Sequence, residues 1–275
     1  DVYKRQVQRT SPIYTYSSDD GRDDWTVASG ALGREGARWL PVRKPGLYAG
    51  DVFATLARSH GIVVWPPRLT DTAPEGVVVG QIESDPLSDV LRAMLKFSNN
   101  LTAEMVGLAA THARVGRVDS LAASASEMNV WATETIGMQS PAFVDHSGLG
   151  GSSRVSAQDM VRGLSAVGHA ELLRPLLKPV KLLDAQGRTV NEHPVQAEAK
   201  TGTLNFVSGL AGYITAPKGR DLVFAVFSAD EETRATIPRE ARERPRGGRS
   251  YSSRARRLQR KLIMRWGAVF DTGQG

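Results

Sequence analysis

The sequence predicts an α+β fold, an antiparallel sheet covered by helices, and three observations predict it. Amphipathic helical periods dominate the chain between Leu47 and Asp159, strand-like apolar runs separated by turns follow Pro179, and one more helical period closes the chain. With 275 residues and 41% hydrophobic content, the chain can bury one substantial core, or one core and part of a second. No apolar run approaches the roughly 20 residues that cross a bilayer as a helix. The absence of Cys excludes disulfides, thiolate metal sites and a cysteine nucleophile.

The elements follow in order. From Val7 to Arg38 the chain is polar, rich in Ser, Gly and Asp and without sustained periodicity, which reads as loops and at most a strand. A boundary is expected near Trp39. Pro45 and Gly46 punctuate the start of a helix over Leu47 to Ser59, with Val52, Leu56 and neighbouring Ala as its apolar stripe. "PEGVVVGQI" reads as a short strand, and Pro86 to Lys96 as a helix presenting Leu87, Val90, Leu91, Met94 and Leu95. Helices are expected over Leu101 to Ala113 and Ser120 to Thr135, then another near Ser156, where Ser followed by Asp159 resembles a capping box. Beyond Pro179, "VKLLDAQGRTV" suggests a hairpin. "PVQAEAKTGTL", "FVSGLAGYITA" and "DLVFAVFSA" read as strands with turns at Asn205 and "PKGRD", the last two as antiparallel neighbours.

The net charge of +6 is uneven, since Arg242 to Lys261 carries most of the basic excess. A nucleic-acid patch is one reading of that run. Leu258, Leu262, Ile263 and Trp266 recur within it at helical spacing, so an amphipathic helix docking its apolar stripe on a core is the better one, and no nucleic-acid partner is expected. Its Arg residues then form a solvated face open to an anionic cell envelope.

Two motifs carry chemistry. Ser98-Asn99-Asn100 lies where one helix ends and another starts, and Lys200-Thr201-Gly202, followed by Thr203, lies on an expected strand. Alone, the first is commonly an N-cap and the second commonly chance. Together, and in this order, the Ser-x-Asn and Lys-Thr-Gly elements resemble two of the three motifs of the penicillin-interacting serine acyltransferases. The resemblance narrows to the D-alanyl-D-alanine carboxypeptidase/endopeptidases of the peptidase S13 family. "PLSDVLRAMLKFSNNLTAEMVG", "FVDHSGLGGSSRVSAQDMVRGL", "AEAKTGTLNFVSGLAGYITAPKG" and the "IPRE...RRLQRKL" tail are similar to that family's segments in its order.

The resemblance implies a penicillin-binding, β-lactamase-like transpeptidase fold, a periplasmic location, and roles for named residues. Ser98 relays a proton to the leaving amine, while Asn100 bonds the substrate amide and orients the general base. Lys200 supplies positive charge, Thr201 a hydroxyl toward the substrate carboxylate, and Gly202 an unobstructed strand for an extended peptide. The Thr203 N–H is half of an oxyanion hole, and Asp145 and Gly148 shape a loop near the cleft. The implied partners are peptidoglycan stem peptides ending in D-Ala-D-Ala and, for the intact enzyme, β-lactams as acylating inhibitors. No cofactor or metal is implied, and the five scattered His offer no zinc spacing.

The third motif, Ser-x-x-Lys, is absent, because no Ser in the chain has a Lys three positions later. In the family that motif lies far upstream of Ser-x-Asn. Residues 1–6, "DVYKRQ", can be encoded GAT GTG TAT AAG AGA CAG, which resembles a transposase mosaic-end adapter. The reading is then 1–6 adapter-derived, 7–38 the remnant of an inserted domain, and 39–275 the C-terminal part of the D,D-peptidase domain, inactive as it stands. The alternative is a non-catalytic homologue that binds peptidoglycan or a partner. Asp145-His146-Ser147 has the residue types of a hydrolase triad, but consecutive side chains point apart and cannot relay a proton.

Overall fold

The computed structural model describes residues 2–9, 12–19, 22–31, 40–72, 75–166, 172–184, 188–190, 192–238, 241–242 and 245–271. It forms two compact units, Asp1–Ile82 with Pro238–Glu243, and Glu83–Ile237 with Arg244–Gly275. The boundary expected near Trp39 lies outside the described residues; the division between units falls after Ile82.

In the first unit, β1 (Val2–Val7), β2 (Tyr14–Asp19) and β3 (Arg22–Ala28) form a sheet in the order β1-β3-β2, with β1 parallel and β2 antiparallel to β3. Sequence reading allowed one strand here. Polar outer faces hide the alternation, which survives only as buried Trp25 and Val27 two residues apart. Tyr16 lies 4.8 Å from the Trp25 ring and donates its hydroxyl to buried Asp23 at 2.8 Å. Helix α1 (Pro45–Ser59) starts on its Pro, two residues before the expected Leu47, because Pro is favoured in the first helical turn. Its stripe differs from expectation: Val52 and Leu56 are 40% and 60% exposed, and Ala54 and Ala57 are the buried positions. "PEGVVVGQI" forms no strand over its described residues 75–82, and Val77 to Val79 lie exposed. β-branched residues favour an extended chain, but a strand also requires a neighbour to take its backbone hydrogen bonds.

The second unit opens with α2 (Leu87–Phe97), α3 (Asn100–Val115), α4 (Leu121–Glu134) and α5 (Ala157–Ala166). Side-chain caps set three starts: Asn99 accepts the Thr102 N–H at 3.0 Å, Ser120 that of Ala123 at 3.1 Å, and Ser156 that of Asp159 at 2.9 Å. The Ser156 box is half formed, because the buried Asp159 carboxylate accepts instead from Gln139 and Ser140, tying the segment that follows α4 to α5. An antiparallel sheet follows in the order β4 (Lys178–Pro179), β5 (Gln196–Leu204), β6 (Val207–Thr215) and β7 (Asp221–Ala229). The short α6 (Glu231–Ala235) leads to the closing α7 (Gly248–Val269).

Pleating sorts the sheet's two faces. Ala197, Ala199, Leu210, Ile214 and Phe224 meet Ile263 of α7 in the core. On the other face Tyr213 donates its hydroxyl to the Leu164 carbonyl of α5 at 3.0 Å. Helix α7 docks with Ile263 in the core and Trp266 packed against it, as the expected stripe has it, but the stripe is shifted at Leu258. Ser252, Ala255, Gln259, Ile263 and Gly267 are buried, whereas Leu258 is 50% exposed. The close approach selects small residues here, since a Cβ on Gly267 would lie 2.6 Å from Val195.

Candidate active site

Two segments far apart in sequence meet through one hydrogen bond. Lys200, on β5, donates from Nζ to Ser98 Oγ at 2.7 Å and to the Thr201 carbonyl at 2.7 Å. Ser98 occupies the turn between α2 and α3 in the left-handed region, at φ 53° and ψ 51°. That conformation is uncommon for a residue with a Cβ, and it turns the chain so that Asn99, rather than Ser98 or Asn100, caps α3. Both motif residues are exposed and released from the capping role that was their ordinary explanation.

Burial, reinforced by the charge of Lys178, pushes the Lys200 ammonium below the ordinary lysine value. Lys178 was not singled out from sequence. It pairs with Ala199 across β4 and β5, and its Nζ lies 5.9 Å from the Phe97 ring centroid, beside Ser98.

The edge of β5 is open next to Lys200. Strand β4 covers it only as far as Ala199, and Val180 donates to the Ala197 carbonyl at 2.8 Å. Backbone direction alternates along a strand, so Thr201 and Thr203 turn their N–H and C=O groups toward the same edge, where no strand pairs with them among the described residues. Thr201, Gly202 and Thr203 are exposed. Gly202 sits opposite Gly209, and a Cβ placed on it would meet nothing within 4 Å. The glycine is required by no packing contact of the chain itself.

Asp145 and Gly148 shape one loop. Asp145 Oδ1 accepts the Gly148 N–H at 2.9 Å and Oδ2 that of Gly150, with Gly148 at φ +74°. Glu104, also missed from sequence, anchors the loop by accepting the His146 and Ser147 N–H groups, each at 3.1 Å. Asn100, Glu104, Gly107 and Thr111 recur at the spacing of one face of α3, so Asn100 lies one turn from this anchor. A Cβ on Gly107 would lie 2.0 Å from the His146 ring. His146 Nε2 is 2.8 Å from Ser124 Oγ, which is 2.7 Å from Thr111 Oγ1. Asp145 and His146 thus serve separate structural networks and form no triad. Among the described residues no three His, Asp or Glu side chains gather to share an ion.

The model of the D-Ala-D-Ala carboxypeptidase 3 (S13) family matches residues 24–244. The chain belongs to the peptidase S13 family. Its relatives include carboxypeptidase DacB of Mycolicibacterium smegmatis, 29% identical over 203 residues, which cover 68% of this chain and 42% of the relative. Another is the D-alanyl-D-alanine carboxypeptidase of an Actinomadura species, 28% identical over 205 residues, covering 68% and 37%. The chain therefore spans well under half the length of these two relatives. The fold is that of penicillin-binding protein 4 from Haemophilus influenzae, with a TM-score of 0.63 at 18% identity over 95% of this chain and 60% of that one. The same protein in complex with a β-lactam gives 0.59 at 20% identity, over 91% and 59%.

The anchor predicts acid sensitivity. Burial opposes ionisation of Glu104, but hydrogen bonds from the Ser147 side chain and the His146 and Ser147 backbone, with the charge of His146, hold its pKa below the ordinary 4.5. For Asp159 the Gln139 N–H leads, burial opposes, and Ser140, Arg162 and Ser156 add, leaving it below 3.8. Depressed carboxylates stabilise the fold fully above their unfolded values and lose that contribution as pH falls through the folded ones. Protection of the His146 and Ser147 amides is expected to fall progressively below pH 4.5. Glu104→Gln should remove this pH dependence from those two amides, which hydrogen exchange measures.

Proposed function

We propose that this chain forms one wall of a serine D,D-peptidase cleft that takes peptidoglycan stem peptides ending in D-Ala-D-Ala. The observation that carries the reading is the Lys200–Ser98 hydrogen bond beside an open β5 edge at which Gly202 leaves room for a ligand. Support comes from the D-alanyl-D-alanine carboxypeptidase among its relatives and from the β-lactam complex of a protein with the same fold.

The peptide lies along Thr201 to Thr203 as an added strand, its backbone pairing with their N–H and C=O groups. The Thr203 N–H faces the scissile carbonyl oxygen, where a donor aimed at developing charge contributes about 3 kcal/mol. A serine hydroxyl adds to that carbonyl, the terminal D-Ala amine leaves with a proton delivered through Ser98, and water then releases the peptide from the acyl-serine. The cationic Lys200 and the Thr201 hydroxyl hold the terminal carboxylate, and Asn100 takes the substrate amide. The family resemblance supports a periplasmic location for the working protein.

The nucleophile belongs to a Ser-x-x-Lys, which these 275 residues lack, so the chain alone is expected to resist labelling by a fluorescent penicillin. Joined to an S13 Ser-x-x-Lys segment, it should be labelled. Gly202→Val should then abolish labelling while changing stability by less than about 0.5 kcal/mol, because the position is exposed and uncrowded. Labelling of the chain as it stands would place the nucleophile elsewhere, and undiminished labelling of Gly202→Val would remove the β5 edge from the site.

A further inference from the structure

Helix α7 is two-sided in a way that docking alone does not require. Its buried stripe of Ser252, Ala255, Gln259, Ile263 and Gly267 covers the sheet face opposite Lys200. On the reverse side Arg254, Arg257, Lys261 and Arg265 recur at i, i+3, i+7 and i+11, all exposed. They make a cationic ridge about 16 Å long at 1.5 Å per residue. No acidic residue occurs between Gly248 and Val269, and none of the four cations joins an ion pair among the described residues. Such a row repels itself, and an anionic partner relieves that repulsion.

The neighbouring stripe identifies that partner's chemistry. Leu258 and Val269, eleven residues apart and so nearly in line, flank the ridge at 50% and 48% exposure. Along α7 itself the groups that could stack on or read nucleic-acid bases are engaged elsewhere, and the exposed Phe270 lies past its last turn, at the C-cap. Gln259 donates to Ser208 at 3.1 Å on the sheet, Trp266 packs 6.2 Å from Phe224, and Tyr251 lies 5.6 Å from Phe206. Cations bordered by aliphatic side chains, without an aromatic platform, suit the headgroup boundary of a bilayer better than a nucleic-acid strand.

We propose that the outer face of α7 binds bilayer surfaces bearing anionic lipid. The inference is independent of the D,D-peptidase reading, though it leaves the Ser98–Lys200 site facing away from the bilayer. The test is co-sedimentation of the full chain with vesicles of phosphatidylglycerol and phosphatidylcholine, against phosphatidylcholine alone. Binding is expected only with the anionic lipid at roughly 0.1 M salt and is lost at about 1 M, where the screening length contracts to about 3 Å. At roughly fivefold per cation, the double variant Arg257→Gln, Lys261→Gln should bind about 25-fold more weakly. The control pair Arg68→Gln, Arg117→Gln changes net charge equally at exposed positions outside α7 and should bind as the parent does. Equal binding to both vesicles, an unaffected α7 variant, or equal losses in the two pairs would overturn the proposal. Capture of a single-stranded oligonucleotide without vesicle binding would reassign the ridge to nucleic acid.

Discussion

Gly212→Ala is expected to destabilise the second unit by about 3 kcal/mol, the upper end of what overpacking costs. Gly212 lies in the middle of β6, opposite Ala199 on β5 and Phe224 on β7. A Cβ there would stand 2.1 Å from the Glu198 carbonyl oxygen and 2.7 Å from the Ala199 Cα. Both atoms are backbone, so no rotamer change relieves the clash, and β5 must move away from β6. Thermal denaturation reads the loss, with a fall in melting temperature of about 6–12 °C for a unit of this size. Gly209→Ala is the internal comparison. Its Cβ would come close to the Phe227 side chain, at 3.2 Å, with the Gly202 carbonyl oxygen at an ordinary 3.9 Å, and a ring can yield where a main chain cannot. Equal melting temperatures for the two variants would mean that the close approach at Gly212 carries no energetic consequence. The position also bears on the site, because the strand it displaces begins the run that carries Lys200.

The residues that proved readable from sequence share a physical property: their signal is local. The caps Ser120 and Ser156 precede full helical periods, and Lys200-Thr201-Gly202 lies in a strand bounded by turns, so each element could be placed from its neighbours. The misses depend on partners distant in the chain. Glu104 takes its meaning from amides 42 and 43 residues away, and no spacing rule connects them. Gly107 did carry a clue, since a glycine inside a helix costs stability and signals a close approach, here of the His146 ring. In α7 the expected stripe held at Ile263 and Trp266 and missed at Leu258, again because of a partner distant in the chain. The sheet comes so near that the docking face selects Ala255 and Gly267 and leaves Leu258 outside. "PEGVVVGQI" shows that strand composition alone does not determine a strand.

Lys200→Met is expected to lower penicillin acylation by on the order of 10³-fold, within the range lost when a positioned proton-transfer group is removed. The measurement uses the chain joined to an S13 Ser-x-x-Lys segment. Methionine keeps much of the length and apolar contact of the lysine stem but cannot donate to Ser98 Oγ or the Thr201 carbonyl, which Lys200 reaches at 2.7 Å each. Lys200→Arg separates charge from geometry. Guanidinium keeps the positive charge but is planar and does not deprotonate in proteins. If attraction for an anionic ligand were the whole contribution, Arg would restore acylation; if Ser98 relays a proton through a compact ammonium, Arg should fail as Met does. A second readout needs no catalysis. Burial and then the charge of Lys178 depress the Lys200 pKa below its ordinary 10.5, so Lys178→Met should raise it while burial keeps it below that value. Titration of isotopically labelled lysine by NMR follows the shift in the chain as it stands. An unchanged Lys200 pKa in Lys178→Met would show that the two ammonium groups are not coupled across the β4–β5 pair, leaving burial as the cause of the depression.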